Sequence, residues 1–295
     1  MSAGGRRGGS RGRARRGRPA PAPVAVQTEH ALAEVIADPH RPSSRTLLLD
    51  GREAGQVDLQ DPRALAFAYM RRIADLIDAF RPPGTAIDVL HVGGGACALP
   101  RYVDATRPRS HQLVFELDPG VVALARAHLG LRAFPRLRVR VGDAADLIGA
   151  CEPRSFDLVI GDAFDGPHVP ARLSTAAFAA QVRRVLRPSG QLIASIVHPF
   201  RDRGRFAGPE PEADFVLKGS YFGRVRFDGI EERDGKEMHF AGWSQPLENY
   251  MALLEQAGFA VVSLREPWPD VRQRPDMARW CRVPLFLWLK ARPLP

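Results

Sequence analysis

Residues 87–95 read Ile-Asp-Val-Leu-His-Val-Gly-Gly-Gly, an apolar, β-branched run that stops at three glycines. A helix-compatible segment follows from Leu99 to about Thr106. Strand, tight turn and helix in this order form the ligand-binding corner of an open α/β sheet. Without a Cβ the backbone can turn sharply there and approach a ligand closely. From residue 86 onward, strand-like and helix-like runs alternate, the pattern of a parallel, doubly wound sheet. The strand-like runs are 86–92, 112–117, 137–141, 156–160, 191–197, 259–264 and 284–289. Helices are expected after Asp118-Pro119, over 174–186 and over 246–256.

Upstream, Thr46–Asp50 and Gln56–Leu59 read as a hairpin about an Asp50-Gly51 turn. Asp61-Pro62 then reads as a helix start, and Arg81-Pro82-Pro83-Gly84 as its stop. Residues 1–44 are rich in Gly, Arg and Pro, with one helical turn expected near Glu29–Ile36, and are expected to be disordered. The implied division is a disordered tail at 1–44, a hairpin plus helix at 45–81, and the main domain at 84–293.

The net charge of +9 invites a nucleic-acid reading, but its distribution argues otherwise. Residues 1–20 carry seven arginines and no acid, and the rest of the chain is close to balance at +2. Any nucleic-acid contact is therefore expected only through the basic tail. No apolar run of membrane-spanning length and no secretory signal is present, so a cytoplasmic enzyme is expected. Cys97, Cys151 and Cys281 are few and widely spaced, which points to a reducing compartment and no metal.

Chemistry-bearing residues cluster at the carboxyl ends of consecutive expected strands, where open α/β sheets bind ligands. They are Gly93, Gly94 and Gly95, then Glu116 with Leu117, then Asp143 with Ala144, then Asp162. A carboxylate at 116 can accept both hydroxyl hydrogens of a ribose, and one at 143 can accept from an adenine amino group. The run Gly93-Gly94-Gly95-Ala96-Cys97-Ala98 lacks the third glycine of the dinucleotide fingerprint. Gly142-Asp143-Ala144 followed by an apolar-Asp pair suits S-adenosylmethionine better than a dinucleotide.

Two resemblances cover different stretches, both within the class I S-adenosylmethionine-dependent methyltransferase superfamily. Residues 46–190 resemble spermidine synthases. The matching pieces are Leu49-Asp50-Gly51 with Gln56, Val89–Gly95, Glu116-Leu117-Asp118, Gly142-Asp143-Ala144 and Asp162-Ala163-Phe164-Asp165-Gly166-Pro167. This likeness implies decarboxylated S-adenosylmethionine as donor. Glu116 would then hold the ribose, Asp143 the base, and Asp162 and Asp165 the amine, with Asp162 helping to deprotonate it. The sequence departs from that pattern at Ala96-Cys97-Ala98, where an aspartate and more glycines are usual, and at Phe67-Ala68-Tyr69, where Tyr-His-Glu is expected.

Residues 185–293 resemble ubiquinone-biosynthesis-type small-molecule methyltransferases. The pieces are Leu186–Gly190, His198-Pro199-Phe200, Trp243–Tyr250, Glu255–Phe259, Arg265-Glu266-Pro267 and Pro284–Leu287. This likeness makes 198–243 a lid over the acceptor, walled by Phe200, Phe206, Phe215, Tyr221, Phe222, Phe227, Phe240 and Trp243. His198 and His239 are its candidate bases.

The fold expected is a Rossmann-like, seven-stranded class I methyltransferase sheet, with the small β-hairpin/helix segment before it. Because the C-terminal lid, which sets acceptor choice, looks methyltransferase-like, and the departures fall on the amine-handling residues, methyl transfer to a small-molecule acceptor is the leading expectation. Spermidine-synthase-like aminopropyl transfer is the alternative, and a non-catalytic nucleoside-binding protein the third. S-adenosylmethionine or its decarboxylated form is the expected cofactor, with no membrane partner and room for a homodimer.

Overall fold

A computed structural model of the chain describes residues 22–164, 170–233, 236–269, 271–272 and 275–294. Two units appear in chain order. The first is a four-stranded antiparallel meander of β1 (Val24–Gln27), β2 (Leu32–Ala37), β3 (Ser44–Leu49) and β4 (Arg52–Asp58). The expectation of disorder over 1–44 is therefore corrected for residues 24–37, and the expected turn of helix at Glu29–Ile36 is a strand. The physical reason is alternation: Ala33 and Val35 point inward and are buried with Leu47 and Val57, so the segment has a core to join. Residues 1–21 lie outside the described residues. The expected β3–β4 hairpin is present, and both residues of its Asp50-Gly51 turn have positive φ, at 49° and 74°.

Helix α1 spans Ala68–Phe80, later than the Asp61-Pro62 start expected. The Asp61 carboxylate accepts from the Arg63 amide at 3.0 Å and its carbonyl from the Ala64 amide at 3.1 Å, which closes a local turn instead of a helix. Met70, Ala74 and Ile77 form the buried face of α1.

The second unit follows as β5 (Asp88–Val92), α2 (Ala98–Thr106), β6 (His111–Glu116), α3 (Pro119–His128), β7 (Leu137–Val141), the short α4 (Ala144–Leu147), β8 (Phe156–Gly161), α5 (Ala176–Val185) and β9 (Leu186–Val197). Two hairpins come next, β10 (Gly204–Phe206) with β11 (Phe215–Leu217), and β12 (Val225–Arg233) with β13 (Lys236–Ser244). Helix α6 (Leu247–Gln256), β14 (Phe259–Arg265) and β15 (Phe286–Pro293) complete it. The large sheet has seven strands in the order β14-β15-β9-β8-β5-β6-β7, and β15 runs antiparallel to both neighbours. This is a Rossmann-like class I methyltransferase sheet with a core on each face. One core carries residues of α1–α3, and the other carries residues of α4–α6.

Turn chemistry explains the sharp joints. Asp118 accepts from the Gly120 amide and so caps α3, whose first residue is Pro119. Asp143 caps α4 by accepting from the Ala145 amide at 2.8 Å. Strand β9 begins at Leu186, five residues before the expected start at Gln191. Its pairing with β8 jumps from Phe156↔Leu186 to Leu158↔Gln191, so Pro188 and Gly190 sit inside a bulge.

The segment 198–243 was expected as an acceptor lid. Among its aromatics, Phe206 and Phe215 pack edge to face with each other and with Trp280 from outside the segment at 5.0–6.4 Å, and Phe200 and Tyr221 join them. These rings serve as a small core for the β10–β11 hairpin. The side chains of Phe227, His239 and Phe240 lie outside the described residues.

Candidate nucleoside and amine site

The carboxyl ends of β5, β6, β7 and β8 converge on one edge of the sheet, and the expected site residues stand there. After β5 the chain turns through Gly93, whose amide donates to the Phe115 carbonyl at 2.9 Å. A Cβ at Gly93 would lie 2.4 Å from the Asp162 carbonyl oxygen, so β5 and β8 meet here backbone to backbone. The next two amides point at Glu116. Gly94 and Gly95 donate to its Oε2 at 2.9 and 2.8 Å, and the Asp118 amide donates to Oε1 at 3.1 Å. Glu116 thus pins the glycine turn from the end of β6; its Oε2 is taken up by two amides, and its Oε1 keeps a lone pair for a hydroxyl. Leu117 beside it is half exposed, while Ala144, the first residue of α4, is buried.

Asp143 arrives already partnered. Its Oδ2 pairs with Arg172 at 2.5 Å, and the same guanidinium forks onto Asp146. Nothing in the sequence flags Arg172, which lies 29 residues downstream in a connecting segment.

Asp162 stands past the end of β8, with its amide donating to the Val92 carbonyl at 2.8 Å. The Tyr69 hydroxyl, from the start of α1, makes a long hydrogen bond to its Oδ2 at 3.4 Å. Burial raises the Asp162 carboxyl from 3.8 to about 7, and the Tyr69 hydrogen bond only partly opposes this. The Tyr69 hydroxyl is pushed far above its ordinary value, first by burial and then by the neighbouring carboxylate, so it stays protonated. A tyrosine is therefore present beside the acid, although the Tyr-His-Glu segment is absent from 67–69. Asp165, the second acid of the 162–167 segment, lies outside the described residues.

A cleft beside the glycine turn and Asp162 is lined by Ala54, Tyr69, Met70, Gly95, Ala96 and Phe164, among others, while Glu116 and Asp143 stand outside its lining. Ala54 comes from the bulge in β4, where Leu47 pairs Gly55 and Leu48 pairs Glu53. A Cβ added at Gly55 would meet the Ala96 Cβ at 2.6 Å, so this hairpin packs directly on the glycine turn. His91 forms part of the lining, is fully buried and bonds Gln112 Oε1 at 2.9 Å. Burial lowers its pKa to about 4, which keeps the imidazole neutral. Gln112 in turn donates to the Pro100 carbonyl, tying β5, β6 and α2 together behind the turn. Two polar residues within buried parallel strands were the available sequence signal for this pair.

His198 is not brought into that cleft. It is buried after β9, its amide bonds the Leu285 carbonyl, and its Nδ1 accepts from the Phe200 amide at 3.1 Å. Its Nε2 lies 3.0 Å from Glu266 Oε1 at the end of β14. Both nitrogens thus belong to the β9–β14 end of the sheet. The backbone of His239 pairs with Ile230 in the β12–β13 hairpin.

The Glu116 geometry separates two substitutions. Glu116→Gln keeps an acceptor for the glycine amides and is expected to weaken adenosine-nucleoside binding about tenfold in calorimetry, with near-native melting. Glu116→Ala also frees the turn, and is expected to add about 1–3 kcal/mol of destabilisation in urea unfolding.

Comparison with known proteins adds the chemical class. Residues 66–205 match the spermine/spermidine synthase domain. The polyamine aminopropyltransferase of Vibrio vulnificus is 29% identical over 150 residues, 49% of each chain. That of Halorhodospira halophila is 32% identical over 127 residues, 40% of this chain and 44% of its own. The matched stretch spans about half the length of these curated relatives. Among solved structures, a probable spermidine synthase from Corynebacterium glutamicum superposes with a TM-score of 0.56 at 29% identity, over 62% of this chain and 67% of its own. A putative S-adenosylmethionine-dependent methyltransferase from Listeria monocytogenes gives 0.53 at 18% identity, over 77% and 99%, which is a likeness of fold.

The chain therefore has the class I methyltransferase-superfamily fold and a spermidine-synthase-like domain. Methyl transfer as the leading reaction, and the methyltransferase assignment with it, is corrected by these findings, which favour the aminopropyltransferase alternative. The reason lies in where the evidence was weighted. Acceptor choice was read from the segment after residue 185, whereas the matching domain and the convergent acids lie mostly before it. Among the described residues, no helix is long and apolar enough to cross a membrane.

Proposed function

We propose that this chain, with its spermine/spermidine synthase domain on a class I methyltransferase-superfamily sheet, transfers an aminopropyl group from decarboxylated S-adenosylmethionine to an amine. The observation that carries the reading is Asp162, a half-buried carboxyl with a pKa of about 7 facing a cleft beside the glycine turn. An alkylamine is protonated in water and must lose a proton before it can attack carbon. Against an amine near 10.4, moving the acceptor carboxyl from 3.8 to about 7 roughly halves the uphill gap in proton affinity.

In this reading Gly93, Gly94 and Gly95 give the donor its close approach, Glu116 with Leu117 takes the ribose, and Asp143 with Ala144 takes the adenine. The amine nitrogen attacks the carbon attached to the sulfonium sulfur. The carbon–sulfur bond breaks, its electron pair returns to sulfur, and neutral methylthioadenosine leaves. Asp162 accepts the proton released by the amine, and Tyr69 holds its carboxylate in place by donating to Oδ2. Asp165 is assigned the amine's approach by resemblance alone. The acceptor is a small molecule, and the apolar side chains of Ala54, Ala96 and Met70 favour an aliphatic chain.

The test is release of methylthioadenosine from decarboxylated S-adenosylmethionine across a panel of alkyl mono- and diamines, followed by mass spectrometry of the alkylated amine. One methylthioadenosine per alkylated amine is expected. Nucleoside binding without release on any amine would overturn the reading in favour of a binding protein.

A further inference from the structure

A second cavity, of about 280 Å³, opens on the β10–β11 hairpin. Asp202, Arg203, Arg205, Lys218, Ser220 and Val225 stand around it. The hairpin's two faces differ sharply. Phe206 pairs with Phe215, and both pack on Trp280. Arg205 alternates with Phe206 along β10, and Arg203, in the turn just before the strand, lines the same cavity as Arg205. Lys218 stands across from Arg203, because its amide donates to the Arg203 carbonyl at 2.7 Å.

Arg203 is the unusual member. It is 6% exposed, and among the described residues its Nη groups donate to the carbonyls of Ser220, Gly223 and Ser244. Its Nε is buried without a partner. Among the described residues no carboxylate lies within ion-pair distance of Arg203, Arg205 or Lys218. Asp202 is the opposing charge in the cavity, and its carboxylate lies 3.5 Å from Arg201. Three cations thus surround one acid, and one of those cations is buried. The Asp202 charge and neutral carbonyls offset the buried Arg203 guanidinium, and its unpartnered Nε leaves a further anion favourable there.

We propose that this cavity is an oxyanion site that binds a small phosphate- or carboxylate-bearing molecule, with Arg203, Arg205 and Lys218 as its donors. Guanidinium and ammonium groups converging on one pocket make charge-assisted hydrogen bonds to such oxygens. The volume sits at the small end of ligand pockets, roughly 300–1,000 Å³, which suits a metabolite rather than a polymer. The same charge repels a polyamine, so the site is separate from the amine cleft and independent of the aminopropyl reading.

The full chain is titrated calorimetrically with inorganic phosphate, methyl phosphate and acetate at constant ionic strength, with chloride as reference. One oxyanion per chain is expected, weakening as salt rises. Preference for the two phosphates identifies a phosphomonoester ligand, and equal or stronger acetate binding identifies a carboxylate. Arg205→Ala/Lys218→Ala removes exposed, unpaired side chains, so melting should be unchanged, while affinity falls about tenfold or more. Phosphate and acetate heats no larger than chloride, or unchanged affinity in the double variant, would overturn the proposal.

Discussion

Asp162→Asn is expected to lower kcat/KM for amine alkylation by about 10²–10⁴, the usual contribution of a positioned general base. The isosteric amide keeps an oxygen for the Tyr69 hydroxyl and leaves the β8 backbone as it was. The loss should therefore fall on kcat, with nucleoside affinity retained. If the proposed reaction holds, kcat/KM of the unsubstituted chain should rise with pH through about 7 as the carboxyl ionises. That limb should vanish from the variant's residual rate.

Stability should move the other way. The folded carboxyl titrates near 7 and the unfolded one near 3.8, so the folded state holds the extra proton between these values. The stabilisation is fully present below pH 4 and is lost as pH climbs through 7. Asparagine cannot ionise, so the variant should melt near the parent at pH 5 and above it at pH 8, by about 1 kcal/mol after allowing for the exposed part of the group. Equal melting at both pH values, with an unchanged rate profile, would remove Asp162 from the base role.

Gly93→Ala is expected to be the most damaging single methyl in the molecule. Its φ is +95°, and the added Cβ would lie 2.4 Å from the Asp162 carbonyl oxygen and 2.8 Å from its carbon. Neither atom can swing aside as a flexible side chain would. Gly84 provides the comparison, with φ +90° and nothing within 4 Å of an added Cβ. Gly84→Ala should cost about 1–2 kcal/mol, the left-handed penalty alone. Gly93→Ala should cost about 3–5 kcal/mol in urea unfolding, because β5 and β8 must separate where both the glycine turn and Asp162 begin. Equal costs at the two sites would mean that the strand ends are not in contact.

The sheet was legible because its signals are local. Strand periodicity, the glycine stop and the Asp118-Pro119 and Asp143-Ala144 cap signals each sit within a few residues of what they determine. The acids at 116, 143 and 162 could be placed on one edge for the same reason. Contacts across long separations were not legible. Tyr69 meets Asp162 across 93 positions, and Arg172 meets Asp143 across 29. The strands at 24–37 were hidden by composition, since they follow an Arg- and Gly-rich leader and are short. Their order depends on burying Ala33 and Val35 against the rest of the core, which no local propensity records. The choice of reaction failed differently. Ala96 and Cys97 were read as missing equipment, while the structure shows Ala96 as the surface on which the β4 bulge rests.

That contact has a bearing on modularity. The match to the synthase family model begins at residue 66, which suggests a unit that could be excised there. Yet Ala54 lines the ligand cleft, and Gly55 abuts Ala96 from the far side of that border. A chain cut at residue 66 would keep its glycine turn and every acid named in the reaction, but its cleft would open to water on one flank. The matched segment and the cleft have different boundaries, and the β3–β4 hairpin belongs to the cleft.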